Sequence, residues 1–272
     1  MNIIPNNKRI LLEILHNLAH KHGFSISSLA HDWVLVLEKG KRSIQLVGYD
    51  WSINSSTSQL IARDKTACYE LLRHNSVPAI EQKLFLRKEE KSYINMENVE
   101  SELLKTGEKF GYPVVCKPNN GTAGRDVYKC SNSKELEETS QKLFNTYRSI
   151  AVSPWYDFEY EYRIIVLDGK LLLAYRKERR KGNWQHNLSH GAYGCIISRG
   201  ELPDALQQLA LRGAHAIGIT FAAIDIADCF DYPRIIEINS GISLERFAEQ
   251  GEKEYQAAEA VYEMIIKHSL LN

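Results

Sequence analysis

Antiparallel pairing is the feature that most constrains how this chain can fold. The β-rich residues 160–167 and 170–176 flank Asp168-Gly169, a two-residue signal for a hairpin turn. A second pair, Phe221–Ala227 and Arg234–Asn239, is joined by the turn-rich segment Asp228–Pro233. Trp33–Glu38 and Ser43–Val47 read as a third hairpin across Lys39-Gly40-Lys41, and Pro113–Lys117 and Asp126–Cys130 as a β-loop-β unit. Helices are expected over 8–22 (closed by Gly23), after the cap Asp64, near 97–110, after the capping box Asn132/Glu135, at 203–217 and at 252–270. The class is therefore α+β, not a strict βαβ alternation.

Composition removes several function classes. At 44% hydrophobic and 25% charged over 272 residues, the chain can bury a core without disulfide staples. Lys+Arg and Asp+Glu are both 34, so no global attraction to nucleic acid or to an anionic membrane is expected. The basic run Arg176–Lys181 reads as facing phosphates at one end and solvent at the other, and His16, His20 and His22 as a solvated helix end. Cys68, Cys116, Cys130, Cys195 and Cys229 are scattered and odd in number, as in a reduced cytoplasmic protein. No apolar run has membrane-spanning length, and Met1 to Leu15 lacks the pattern of an export signal.

The chemistry concentrates in the second half. Glu237 and Asn239, two apart on a strand, project from one face, and a hairpin brings Asp225 opposite 236–237. Two carboxylates and an amide oxygen suit Mg²⁺, a hard cation. Solvated strand carboxylates are the other reading, and the apolar flanks Ala222–Ile224, Ile226, Ile235, Ile236 and Ile238 weigh against it. Between two strands, Lys117-Pro118-Asn119-Asn120-Gly121-Thr122-Ala123-Gly124-Arg125 offers a cation and two glycines that let backbone amides approach an anion. Taken alone, it fits a plain hairpin loop at least as well.

Together, Asp64-Lys65, Lys117 with its glycine loop, Glu161-Tyr162-Arg163, Asn187, Asp225 and Glu237-Ile238-Asn239 resemble, in order and spacing, the ATP-grasp superfamily. The similarity runs from about Thr57 to Glu249 and is nearest to carboxylate–amine ligases of the glutathione synthetase, cyanophycin synthetase and ribosomal-protein glutamate ligase group. It implies two α+β subdomains enclosing ATP (57–150 and 151–272, the second with the magnesium site), preceded by a truncated helix-plus-hairpin unit at 1–56. It implies an ADP-forming ligase that acts through an acyl phosphate.

Carried over, Lys65 and Lys117 touch the phosphates, and the lid Asn120–Arg125 includes Gly121, Thr122 and Gly124. The hinge Ser153-Pro154-Trp155-Tyr156 meets the adenine, Glu161 the ribose, and Asp225, Glu237 and Asn239 hold magnesium ions, two of them, with Asn187 nearby. Relatives usually have Arg where Gln185 stands, so Arg163, Lys177 or His190 is expected to supply the missing positive charge. The expected partners are small-molecule, peptide or carrier-bound carboxylates and amines, with no nucleic acid or membrane. A homodimer is one way to complete the substrate wall. A phosphotransferase on the same fold, or a nucleotide-binding module without turnover, stands as the alternative.

Overall fold

The computed structural model describes residues 9–90, 98–198, 200–229 and 231–271. Lys8, Glu97 and Phe230, which fall within the helix and turn ranges expected above, lie outside the described residues. The N-terminal unit begins with α1 (Ile10–His22), whose Leu11, Ile14, Leu15 and Leu18 are buried and whose end is set by Gly23 in the left-handed conformation (φ 66°). Four antiparallel strands follow in spatial order: β1 (Ser25–Leu29), β2 (Val34–Lys39), β3 (Arg42–Val47) and β4 (Asp50–Trp51). The expected two-stranded hairpin is thus the middle of a four-stranded sheet. Ser25–Leu29 is largely exposed and serine-rich, so its sequence lacks the alternation that marks a half-buried strand.

Next come α2 (Ser56–Arg63) and α3 (Lys65–His74), capped by the side chains of Ser55 and Asp64. The small sheet collects β5 (Lys83–Leu86), β6 (Val114–Pro118), β7 (Tyr128–Cys130) and β8 (Ser149–Pro154) in the order β5-β8-β6-β7, all pairs antiparallel. Between them run α4 (Val99–Phe110) and α5 (Ser133–Phe144). Leu103, Leu136 and Leu143 of these helices share a core with Phe85, Val114, Cys116, Ile150 and Val152. Strand alternation leaves Val115, Lys117, Ala151 and Ser153 on the sheet's other face.

The large sheet has the order β11-β10-β9-β12-β13, built from β9 (Tyr160–Leu167), β10 (Lys170–Glu178), β11 (Tyr193–Ile196), β12 (Phe221–Ala227) and β13 (Arg234–Asn239). Asp168 and Gly169 both take positive φ (48° and 69°), the conformation of the tight β9–β10 turn. The remaining helices are α6 (Asp204–Ala216), α7 (Glu245–Ala248) and α8 (Glu252–Ile266). One face of the large sheet (Ile164, Val166, Ala222, Ile224, Ile226) packs on α6, α2 and α3. The other (Ile165, Leu167, Tyr175, Phe221, Ala223) packs on α8, α1 and the N-terminal sheet.

These cores do not follow the expected boundaries. The line at 150/151 runs inside β8, which pairs in the small sheet with β5 and β6. Ala62, Cys68 and Leu72 of α2 and α3 belong to the core of the large sheet, because their apolar stripe is covered there. The unit at 1–56 shares one continuous core with β9, β10, β12 and α8.

Candidate active site

The large-sheet face that is apolar at one end of its strands becomes ionic at the other. Continuing the alternation from Ile165, Tyr175 and Ala223 brings Arg163, Glu161, Lys177 and Asp225 to the same face. The β12–β13 register sets Asp225 opposite Glu237 and Ala223 opposite Asn239. Asn239 Nδ2 stands 3.2 Å from Asp225 Oδ2 and 3.3 Å from Glu237 Oε1, so the three side chains converge.

Asp225, 1% exposed, is held by a bidentate Arg163 (2.7 and 2.6 Å) and by Lys177 Nζ at 3.0 Å. Lys177 also donates to Glu161. Burial pushes the Asp225 carboxyl up, but the charges and hydrogen bonds of Arg163 and Lys177 outweigh it and hold it down. Glu161 moves the other way: burial raises it by more than Lys177 lowers it. Glu237 is less enclosed, 29% exposed at its side chain, with Lys65 Nζ 3.8 Å away.

Across from this row, Lys117 at the end of β6 is buried. Burial and then the neighbouring Lys65 charge bring its pKa down to about 8, against the pull of Glu237 and Glu161. An ammonium held in this way gains from any anion placed beside it. The glycine loop starts at Asn119, whose Oδ1 accepts from Thr66 N (3.1 Å) and Thr66 Oγ1 (2.9 Å). Lys65 Nζ donates to Gly121 O at 2.6 Å. Gly124 (φ 68°) lies so close to Asn187 that a Cβ there would sit 2.7 Å from Asn187 Oδ1. The loop therefore reaches from the small sheet to the segment that follows β10.

Between the two sheets lies a cleft of about 980 Å³, its open mouth included. One part of its wall is ionic: Lys65, Lys117, Glu161, Asp225, Glu237 and the loop Gly121–Arg125. Another is apolar and aromatic: Ile80, Val115, Trp155, Tyr156, Phe158 and Ile236. Each hinge ring is backed by a cation, Lys129 Nζ 3.3 Å over Trp155 and Arg234 Cζ 4.9 Å over Tyr156. Phe158 stacks on His186 at 4.9 Å, and burial pulls the His186 pKa down to about 4, so that ring is neutral at pH 7.

Of the residues expected at the site, Lys65, Lys117, Gly121, Thr122, Gly124, Trp155, Tyr156, Glu161, Asn187, Asp225 and Glu237 line the cleft. Asn239 contacts both carboxylates and is outside the lining. Asn120 and His190 are exposed and outside the lining, His190 closing a 3₁₀ turn over Leu188–His190. Arg163 and Lys177 are engaged by Asp225 and Glu161 and do not line the cleft. Gln82, Val115, Phe158, Arg179, Trp184 and His186 do line it and were not anticipated. Two of them had a signal: Val115 alternates with Lys117, and Arg179 falls in the basic run Arg176–Lys181 that was read as facing phosphates at one end.

Residues 62–265 match the family model described as the RimK-like ATP-grasp domain. The chain belongs to this family. Among its relatives, a probable alpha-L-glutamate ligase of Marinomonas sp. (strain MWYL1) is 25% identical over 229 residues, covering 84% of this chain and 69% of that protein. Other probable alpha-L-glutamate ligases are covered less fully, the one from Shewanella halifaxensis (strain HAW-EB4) over 29% of its length and the one from Psychromonas ingrahamii over 63%. Among solved structures, the D-alanine–D-alanine ligase from Bacillus anthracis complexed with ATP superposes with a TM-score of 0.58 at 17% identity, over 78% of this chain and 67% of that one. A bifunctional glutathione synthetase from Pasteurella multocida gives 0.60 at 14% identity, over 96% of this chain and 44% of that one. The ATP-grasp fold and α+β class expected from the motifs agree with these findings. Among the described residues no helix is long and apolar enough to cross a membrane.

Proposed function

We propose that this RimK-like ATP-grasp chain is an ATP-dependent carboxylate–amine ligase. The observation that carries the reading is the two-part cleft, aromatic and apolar in one part of its lining and ionic in another, which matches a purine base joined to a triphosphate. Around the ionic part stand the cations Lys65, Lys117, Arg125, Arg163, Lys177 and Arg179 against the carboxylates Glu161, Asp225 and Glu237, a positive excess that favours an anionic ligand.

In this reading Trp155 and Tyr156 receive the adenine, Glu161 the ribose, and Lys65 and Lys117 the phosphates, while the loop Asn120–Arg125 covers them. Arg163 and Lys177 keep Asp225 ionised, and Lys177 orients Glu161. The cleft-lining Arg125 and Arg179 are better placed than Arg163, Lys177 or His190 to offset charge where Gln185 stands. Asp225 and Glu237 are carboxylates of the hard donor type that suits magnesium; Asn239 turns its Nδ2 to both of them and would offer its Oδ1 to the ion once the amide is flipped. No cluster of three or more His, Cys, Asp and Glu side chains surrounds one point among the described residues, so further ligands would come from nucleotide and water. When bound, two such ions would neutralise charge on the phosphate oxygens.

A substrate carboxylate oxygen attacks the γ-phosphorus and ADP leaves. An amine nitrogen then attacks the acyl carbon, loses a proton and expels inorganic phosphate, leaving an amide. The names of the curated relatives support glutamate as a first candidate, either free or added to a peptide. The test is ADP release with Mg²⁺ across a panel of carboxylates and amines that includes glutamate and glutamate-ended peptides. Amide formed in step with ADP supports the ligase. A phosphorylated product without an amine requirement, or ATP bound without turnover, overturns it. The second outcome is the module reading that Gln185 favours.

A further inference from the structure

We infer that Gln82 is a specificity-determining residue that reads the 6-amino group of adenine, an assignment that rests on the ATP reading above. Gln82 precedes β5, and the register Lys83 opposite Val152 carries it next to Ser153, the residue before Pro154-Trp155-Tyr156. The register Val115 opposite Ser153 completes a row of Gln82, Ser153 and Val115 across three neighbouring strands, and all three line the cleft. Lys117 lies two residues further along β6 on the same face, so the row adjoins the part of the cleft that suits phosphates.

The Gln82 side chain is 3% exposed. Its Nε2 makes one long contact, 3.4 Å to Ile80 O, and its Oε1 is sealed from water with no donor among the described residues. A buried carboxamide oxygen without a donor is costly and uncommon, and it marks a place where a ligand donor fits. The surroundings are apolar: Ile80, Phe158, Ile236 and Tyr156 pack together at this wall. The hinge residues Ser153-Pro154-Trp155-Tyr156 carry no carboxylate or carboxamide of their own. Adenine offers an N6 donor that the Gln82 oxygen can accept, whereas a purine without that amino group leaves the oxygen unpaired and guanine sets its own O6 against it.

Equilibrium binding to the full chain with Mg²⁺ and no other substrate tests this, comparing ATP with purine riboside triphosphate, which lacks only the 6-amino group. The wild-type chain is expected to bind ATP about tenfold more tightly. Gln82→Leu is expected to weaken ATP about tenfold while leaving purine riboside triphosphate nearly unchanged, and Gln82→Glu, which keeps an acceptor oxygen, to restore the preference. Equal weakening of both nucleotides in Gln82→Leu, or an undiminished preference, overturns the assignment. Should Gln82→Leu not fold, the wild-type comparison and Gln82→Glu decide, and equal affinities in the wild type overturn the Gln82 assignment alone. If the wild type binds neither nucleotide, the ATP reading falls and takes this one with it.

Discussion

At the residue scale, Asp225 and Glu237 occupy different electrostatic settings although they face each other in the register. Asp225 is the shared anion of two cations that are themselves largely enclosed. Asp225→Asn removes the charge that balances Arg163 and Lys177, and we expect it to lower folding stability by about 3 kcal/mol as well as to stop turnover. Glu237 touches one cation at 3.8 Å, so Glu237→Gln should leave the melting temperature within a few degrees of wild type and cut kcat at least a hundredfold. Thermal melts alongside ADP-release kinetics separate the two, and near-normal turnover in a folded Glu237→Gln chain would defeat the metal assignment.

Lys117 carries a pH prediction of definite sign. Its pKa in the free protein is brought down to about 8, and a bound phosphate raises it again. Affinity for ATP is therefore complete below about 8 and falls as pH rises through that value, by up to about tenfold per pH unit while the bound form keeps its proton. Titrating Kd against pH from 7 to about 9.5 checks this, and Lys117→Ala should flatten the profile.

At the scale of elements, the loop Asn119–Arg125 is fixed at its start and lightly held beyond. Asn119 and Lys65 tie it to α3, whereas Thr122, Ala123 and Arg125 are exposed. Segments with few buried contacts open at low cost, and we expect ATP to slow hydrogen exchange at 121–125. An unchanged exchange rate would remove the lid role. Gly124→Ala adds a side chain in a left-handed backbone and against Asn187, so kcat/KM should fall about tenfold with little change in melting temperature. The capping signals behaved as local chemistry: Asp64 accepts from Ala67 N at 2.8 Å and Asn132 from Glu135 N at 3.0 Å. The first strand, β1, had no such local mark, because an exposed edge strand is defined by its partner, here Val34–Lys39.

At the scale of the whole molecule, the N-terminal unit is part of the structure that holds the site rather than an appendage. Its Asp50 accepts from Ser240 Oγ at 2.8 Å, one residue beyond Asn239, and a Cβ on Gly241 would come within 2.9 Å of Asp50 Oδ2. Its α1 and sheet cover Ile165, Leu167, Tyr175 and Phe221. A chain starting at Ser55 would expose that face, and we expect it to aggregate or to lose its cooperative melt, whereas an independent unit at 1–56 would leave the remainder folded. Four strands and a helix also make a larger unit than the helix and two-stranded hairpin expected at first.

What the sequence determined by itself was whatever is encoded within a few residues or within one hairpin. The β9–β10 turn at Asp168-Gly169, the helix caps and the opposition of Asp225 to Glu237 follow from φ/ψ preferences and a strand period of two, which need no knowledge of the rest of the chain. The order of Lys117, its glycine loop and Glu237-Ile238-Asn239 was enough to point to the ATP-grasp family. Tertiary structure alone decided that Arg163 and Lys177 neutralise Asp225 rather than line the cleft, because that carboxylate lies on another strand, 62 and 48 residues away in sequence. It also brought Gln82 beside Ser153 and left β8 in the small sheet. Contacts of that kind depend on which faces are buried together. Desolvation and charge pairing act on the assembled neighbours, whose identity a linear pattern does not carry.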